Sequence, residues 1–125
     1  MSFDVPADRY YAESHEWIDP ETGKIGITDF AQDELGDVVF VELPAVGDSV
    51  TPEDGVGVVE SIKAISDVFS PVTGTVEATN QDAVDEPALL NTDPYGDGWL
   101  FQVSLEDESE LDVLLSAEEY EAQLE

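Results

Sequence analysis

Lys63 is the residue best placed to do chemistry in this chain. It stands in Gly55-Val-Gly-Val-Val-Glu-Ser-Ile-Lys-Ala-Ile-Ser-Asp-Val-Phe-Ser-Pro71, where two β-rich runs, Val56–Glu60 and Ile65–Phe69, flank Ser61, Ile62, Lys63 and Ala64. Roughly alternating runs closed by Gly55 and Pro71 predict a β-hairpin with Lys63 at its tip. The tip lacks the Asn-Gly or Asp-Gly pair that favours a tight two-residue turn. Ile and Lys require negative φ, which suits a type I turn. A turn not composed for hairpin stability points to a lysine kept for another purpose. A turn lysine is ordinarily just solvated. Composition argues otherwise here: 31 Asp and Glu face 3 Lys and Arg, and the only lysines are Lys24 and Lys63. A lysine retained at a projecting tip, between Ile62 and Ala64, is best read as covalently modified. Catalysis by a free amine would need burial or a cationic neighbour, whereas Glu60 and Asp67 are the nearby charges in sequence.

Other chemistries find no support. The chain has no cysteine, hence no disulfide, thiolate metal site or redox couple of its own. His15 is the only histidine, so no histidine-based metal cluster forms. Asn91-x-Asp93-x-Tyr95-Gly96 fails as a calcium loop, because its fifth position is Tyr95 and its twelfth is Gln102. No phosphate-binding glycine loop and no Ser-His-Asp order stands out. Carboxylates adjacent in sequence are expected by chance in so acidic a chain and do not mark acid–base catalysis.

At 125 residues and 42% hydrophobic content the chain suits one domain with a real core. Its formal charge of −28 is spread along the whole sequence. Self-repulsion of that size loosens a compact state unless salt screens it, a lever used by halophiles. The composition therefore predicts a solvated acidic surface suited to a high-salt cytosol. Nucleic-acid binding is disfavoured, since there is no basic footprint. The N-terminal stretch has no signal-peptide pattern and no run reaches membrane-spanning length, so a cytoplasmic, non-membrane protein is expected.

The elements that must carry Lys63 follow in order. Arg9–Ile18 reads as a strand around Ser14-His-Glu-Trp17, Asp19–Gly23 as a turn, and Lys24–Ile27 as the answering strand. Thr28 or Asp29 caps a short helix through Leu35, stopped by Gly36. Val38–Leu43 is an apolar strand. Pro44-Ala-Val-Gly47 and Pro71-Val-Thr-Gly74 echo each other on either side of the hairpin and suggest a pseudo-twofold β-structure. Thr75–Ala78 is a strand, Asn80–Asp85 a polar loop, and Pro87–Asn91 a tight connection. Trp99, Phe101 and Val103 mark a last strand. In the tail, Leu111, Leu114 and Leu115 form a stripe at helical spacing, and Ser116-Ala-Glu-Glu119 is a capping box with Tyr120 and Leu124 on the buried side.

Taken together these residues resemble the glycine cleavage system H protein family nearly end to end. The likeness is carried by Ser14–Trp17, Gly26–Gln32, Leu35–Pro44, Glu60-Ser-Ile-Lys-Ala64, Ser66-Asp67, Ser70-Pro71, Gly74, Asn91, Pro94-Tyr95 and Gly98-Trp99. The resemblance implies a mainly β barrel-sandwich hybrid of the lipoyl/biotinyl-carrier type, with short peripheral and C-terminal helices. It implies one domain over 1–125: hairpin and helix at 9–36, β core at 38–103, C-terminal helices at 105–125. It implies lipoate in amide linkage to Lys63, with Glu60, Ser61, Ile62 and Ala64 as attachment context. It implies a non-enzymatic, monomeric carrier served by a lipoate-attaching enzyme. That carrier would shuttle between a pyridoxal-phosphate glycine decarboxylase (P protein), a tetrahydrofolate-dependent aminomethyltransferase (T protein) and a flavin dihydrolipoamide dehydrogenase (L protein). It also implies a cleft for the loaded arm at Ser14, Glu16 and Asp67, with Leu35 in its lining. Glu34 stands where some relatives carry His, and acids replace most basic positions, which bears on the partner-contact surface. A biotin carrier would show Met-Lys-Met around the lysine, and a 2-oxo-acid dehydrogenase lipoyl domain Asp-Lys-Ala. The remaining alternatives are a lipoyl relay to 2-oxo-acid dehydrogenases and an acidic binding protein with an unmodified Lys63.

Overall fold

The structure is a computed structural model that describes residues 3–52 and 54–124. Met1 and Ser2 of the N-terminal stretch, and Glu125 of the acidic tail, lie outside the described residues. Two antiparallel sheets make the barrel-sandwich hybrid. The strands are β1 (Tyr10–Tyr11), β2 (Glu16–Ile18), β3 (Lys24–Ile27), β4 (Val38–Glu42), β5 (Ser49–Val50), β6 (Gly55–Ser61), β7 (Ile65–Phe69), β8 (Gly74–Thr79) and β9 (Phe101–Leu105). One sheet has the order β1-β2-β3-β9-β8-β5 and the other β4-β6-β7. Val41, Val59 and Val68 of the small sheet meet Val50, Val76, Phe101 and Val103 of the large one in a single buried cluster. Alternation along each strand sends these side chains inward, as the sequence pattern requires.

Helix α1 (Asp29–Leu35) begins and ends as its sequence predicts. The Thr28 hydroxyl accepts the Ala31 N–H, and Gly36 closes the helix at φ +77°. The echoing turns lie side by side: Gly47 N–H donates to Val76 O at 2.8 Å, and Val50 registers against Gly74. They sit at the end of the hairpin strands away from Lys63.

Four expectations change. Arg9–Ile18 is not one strand. Ala12–His15 form a turn that folds Tyr11 back against Trp17, and His15 adopts φ +74°, a left-handed conformation that histidine tolerates better than most side chains. Asn80–Asp85 is not a loop: α2 (Gln81–Asp85) is one turn of helix that buries Ala83. Likewise Pro87–Asn91 runs into α3 (Leu89–Thr92), which buries Leu90. Single turns are too short for helical periodicity to show. Finally, Leu111, Leu114 and Leu115 share no helical stripe. A 3₁₀ turn spans Glu108–Val113, then the chain extends so that Leu115 and Tyr11 exchange backbone hydrogen bonds at 2.8 and 2.9 Å. Leu114 packs on the main core and Leu115 on the aromatic cluster of Tyr11, Trp17 and Tyr120. Backbone pairing outweighs local helix preference there.

The capping box forms as expected. Ser116 Oγ accepts the Glu119 N–H, and the Glu119 carboxylate accepts the Ser116 N–H. Helix α4 (Ala117–Leu124) then docks through Tyr120, which stacks on Tyr11 with ring centres 4.8 Å apart. The Tyr120 hydroxyl lies 2.7 Å from both Thr28 Oγ1 and His15 Nδ1, which joins the C-terminal helix to the cap of α1.

Three cations cannot neutralise this surface, and two of them already have partners. Among the described residues the only ion pair is Arg9 with Asp8. The Arg9 guanidinium lies over Trp17, and the Lys24 ammonium lies 4.8 Å from the Trp99 ring centre. The carboxylates are thus left to repel one another, and molar salt shrinks the screening length to roughly 3 Å. The thermal midpoint, followed by Trp17 and Trp99 fluorescence, is expected to rise steeply from low to molar KCl. A flat midpoint would show that repulsion is not what limits stability.

Candidate functional site

The hairpin tip is held from both sides. Glu60 registers against Ile65, which leaves Ser61–Ala64 as the turn. Ser61 N–H donates to Ala64 O at 2.8 Å, and Ser61 Oγ accepts the N–H groups of Lys63 at 3.2 Å and Ala64 at 3.0 Å. The serine side chain thereby does what an Asn-Gly pair does elsewhere, with negative φ at Ile62 and Lys63 as expected. Ile62 N–H donates to Asp37 O at 3.1 Å, tying the tip to the junction of α1 and β4. Asn91 fixes that junction. Its amide donates to Gly36 O at 2.8 Å and Gln32 Oε1 at 3.0 Å, and its oxygen accepts the Val38 N–H at 2.9 Å. Nothing in the spacing of Leu-Leu-Asn91 signals this role. The stem of Lys63 passes over Gly36, where an added Cβ would lie 3.5 Å from Lys63 Cε. That is ordinary contact, so φ rather than space demands the glycine.

Lys63 is exposed and, among the described residues, makes no ion pair. Arg9 and Lys24 lie over aromatic rings, so Lys63 is the cation left available to another molecule.

A second group forms near the far end of β7. Glu16 is only 3% exposed. Its carboxylate accepts hydrogen bonds from the Ser14 hydroxyl and from Phe69 N–H, the latter at 3.3 Å. The left-handed turn at His15 brings Ser14 and Glu16 together. Ser14 and Phe69 line a hollow of about 360 Å³ with Tyr11, Pro71 and Leu114. Phe69 was not singled out by its sequence context, since an aromatic strand residue beside a proline is an ordinary core element. Asp67 is exposed and lines a shallow groove with Glu42 and Val58, where its side chain and the Phe69 ring both flank Gly55, and Leu35 packs into the main core. Among the described residues, no group of three or more His, Cys, Asp and Glu is placed to hold a metal ion, and no helix is long and apolar enough to cross a membrane.

Burial pushes the Glu16 carboxyl up to about 7, against the lowering effect of the Ser14 and Phe69 hydrogen bonds. Burial also lowers His15 below its ordinary range, with Glu34 opposing. Between about 4.5 and 7 the folded chain holds a proton on Glu16 that the unfolded chain has lost, so stability falls as pH rises through that window, by on the order of 3 kcal/mol. Glu16→Gln removes this slope. In denaturant titrations at molar KCl, the variant is expected to gain on the wild type steadily from pH 5 to pH 8. Parallel curves would mean that Glu16 ionises freely in the folded state.

Comparison with known proteins places this geometry in context. The family model described as "Glycine cleavage H-protein" matches residues 9–125. The chain is 60% identical over 126 residues to the probable glycine cleavage system H protein of Natronomonas pharaonis, covering 99% of each chain. It is 57% identical over 124 residues to its Halobacterium salinarum counterpart, again covering 99% of each. These two relatives come from halophilic archaea. The glycine cleavage system H protein of Carboxydothermus hydrogenoformans is 54% identical, with 97% of this chain and 95% of that one covered. The crystal structure of a glycine cleavage system H protein from Mycobacterium marinum superposes with a TM-score of 0.86 at 43% identity, covering 96% of this chain and 98% of that one. The chain belongs to the glycine cleavage H-protein family, the lipoyl-bearing shuttles of glycine cleavage, which carry groups between enzymes and are not themselves catalysts.

Proposed function

We propose that Lys63 carries lipoate as an amide on its ε-nitrogen. One observation carries this: Lys63 is the single cation with no aromatic or carboxylate partner among the described residues, on a tip locked by Ser61 and braced by Asp37 and Asn91. A lipoate-attaching enzyme would join the lipoate carboxyl to the amine, with ATP as co-reactant and AMP and pyrophosphate leaving. Bound lipoate would supply a reducible disulfide able to take up two electrons and an aminomethyl group. Glycine cleavage provides partner enzymes. We assign them as the pyridoxal-phosphate decarboxylase, the tetrahydrofolate-dependent aminomethyltransferase and the flavin dihydrolipoamide dehydrogenase. They would be served by one 1–125 domain acting as a cytoplasmic monomer.

The lysyl and lipoyl stems together reach roughly 12–15 Å. Strand β7 spans about 13 Å from Ile65 to Phe69, and Lys63 stands two residues before it, so an arm laid along β7 covers most of the strand. At the Phe69 end the buried Glu16 carboxylate and the exposed Ser14 hydroxyl would offer a cationic amine acceptors for a charge-assisted bond. Asp67, exposed midway along β7 and four residues from Lys63, lies within that reach.

Protein from lipoate-replete cells is expected to show one lipoyl adduct by intact mass, absent in Lys63→Arg and kept in Lys24→Arg. An adduct on Lys24, or none at all, would sink the assignment. For the arm end, Glu16→Gln is expected to leave attachment and reoxidation intact and to speed loss of the aminomethyl group from the isolated carrier about tenfold, the worth of one charge-assisted bond. Asp67→Asn should act in the same direction. Formaldehyde and ammonia release without the transferase measures both, and equal release from variant and wild type would remove Glu16 from this role.

A further inference from the structure

The outer face of the β4–β6–β7 sheet breaks the rule that governs the rest of the surface. Of the six exposed large hydrophobic residues among those described, four gather at the Lys63 end: Val39, Phe40, Ile62 and Ile65. Cross-strand register explains how. Phe40, Glu60 and Ile65 form one row across the three strands, and Glu42, Val58 and Asp67 form the next. Paired residues share a face. The intervening row of Val41, Val59 and Ser66 turns Val41 and Val59 into the core. Phe40 is 45% and Ile65 70% exposed on either side of Glu60, with Ile62 one step beyond at the tip. Beside this apolar row stand the carboxylates Glu60, Glu42 and Asp67. A chain of charge −28 that leaves Phe and Ile bare at one place only has a reason to do so.

We propose that this face is the docking surface for the enzyme that modifies Lys63, and that the enzyme's matching surface is an apolar cleft rimmed by Lys or Arg. The proposal rests on the lysine reading above. Charge complementarity selects the partner. A second copy of this chain would bring like charges together, whereas a cationic rim pairs with Glu60, Glu42 and Asp67 at contact. The attaching enzyme is favoured over partners of the loaded carrier because it meets the chain before any arm exists. Only protein surface is then available to tell Lys63 from other lysines. Salt sharpens the point. At roughly 3 Å of screening length, charges cannot steer a distant partner, while apolar contact does not depend on charge. Recognition in molar salt therefore needs an apolar anchor, and Phe40 with Ile65 is the one beside the lysine.

The test is attachment kinetics in molar KCl, using the unmodified chain, a purified lipoate-attaching enzyme, ATP and lipoate. Phe40→Ser with Ile65→Thr is expected to lower kcat/KM about tenfold or more through KM, as truncation of central apolar anchors does. Val46→Ser, at another exposed hydrophobic, should leave it unchanged. Ile65→Lys, at a site too exposed to threaten the fold, should lower it similarly by opposing the cationic rim. Glu42→Gln with Asp67→Asn should raise KM about threefold. An unchanged KM in that pair would overturn the cationic rim. A kcat/KM within twofold of wild type in both apolar variants would overturn the surface. If the wild type acquires no adduct at Lys63, the lysine reading falls and takes the surface with it. If wild type and apolar variants are modified equally, the surface alone falls.

Discussion

The structure depends most on the three hydrogen bonds of the Asn91 side chain. They satisfy the end of α1 at Gly36 O, the start of β4 at Val38 N–H and the Gln32 side chain. Helix ends leave unpaired carbonyls, and here the turn that follows also has to carry the lysine hairpin through Asp37 O. One amide meets both needs. An apolar residue at position 91 would leave the Gly36 carbonyl and Val38 N–H without partners, a cost of roughly 1–3 kcal/mol for each buried group. The loss would fall beneath Lys63.

Charge shapes everything built on that joint. With 31 carboxylates and three cations, the chain cannot stabilise itself through ion pairs. It relies instead on hydrogen bonds between neutral groups and on aromatic stacking. Tyr120, Thr28 and His15 share one hydroxyl-centred cluster, and Trp17 Nε1–H donates to Ile27 O at 2.9 Å while its ring packs on Gly26. Arg9 and Lys24 serve as caps on indole rings. None of these contacts depends on low ionic strength, which suits a chain whose surface needs salt.

Much of this was legible in the sequence. The Lys63 hairpin, the capped α1, the apolar β4, the paired P-x-x-G turns and the Ser116–Glu119 box all rest on local signals with local causes, and each forms. The misses have tertiary causes. The turn at Ala12–His15 arises because Tyr11 and Leu115 pair across 104 residues of chain, and no local pattern records such a partner. The one-turn helices α2 and α3 are shorter than the period that would announce them. At the site, the pairing of Ser14 with Glu16 could be inferred only by likeness, because it depends on the unusual φ of His15. The burial of Glu16 was equally hidden, since one buried acid among 31 looks like the others in sequence.

The arm proposed for Lys63 has to swing, yet what it swings from must not. At the tip, the N–H groups of Ser61, Ile62, Lys63 and Ala64 are all hydrogen-bonded, within the turn or to Asp37 O, which holds the backbone beneath the lysine side chain. At Phe69, Glu16 sits in a site that favours its neutral form and has a raised affinity for protons. When ionised, that carboxylate has the Ser14 hydroxyl and the Phe69 N–H as hydrogen-bond partners, and a cationic amine would add a charge-assisted bond. An exposed carboxylate offers far less, because water and salt already satisfy it. In a chain coated with acids, only a buried one can be selective. The cost of burying Glu16 is therefore what sets it apart from the surrounding carboxylates.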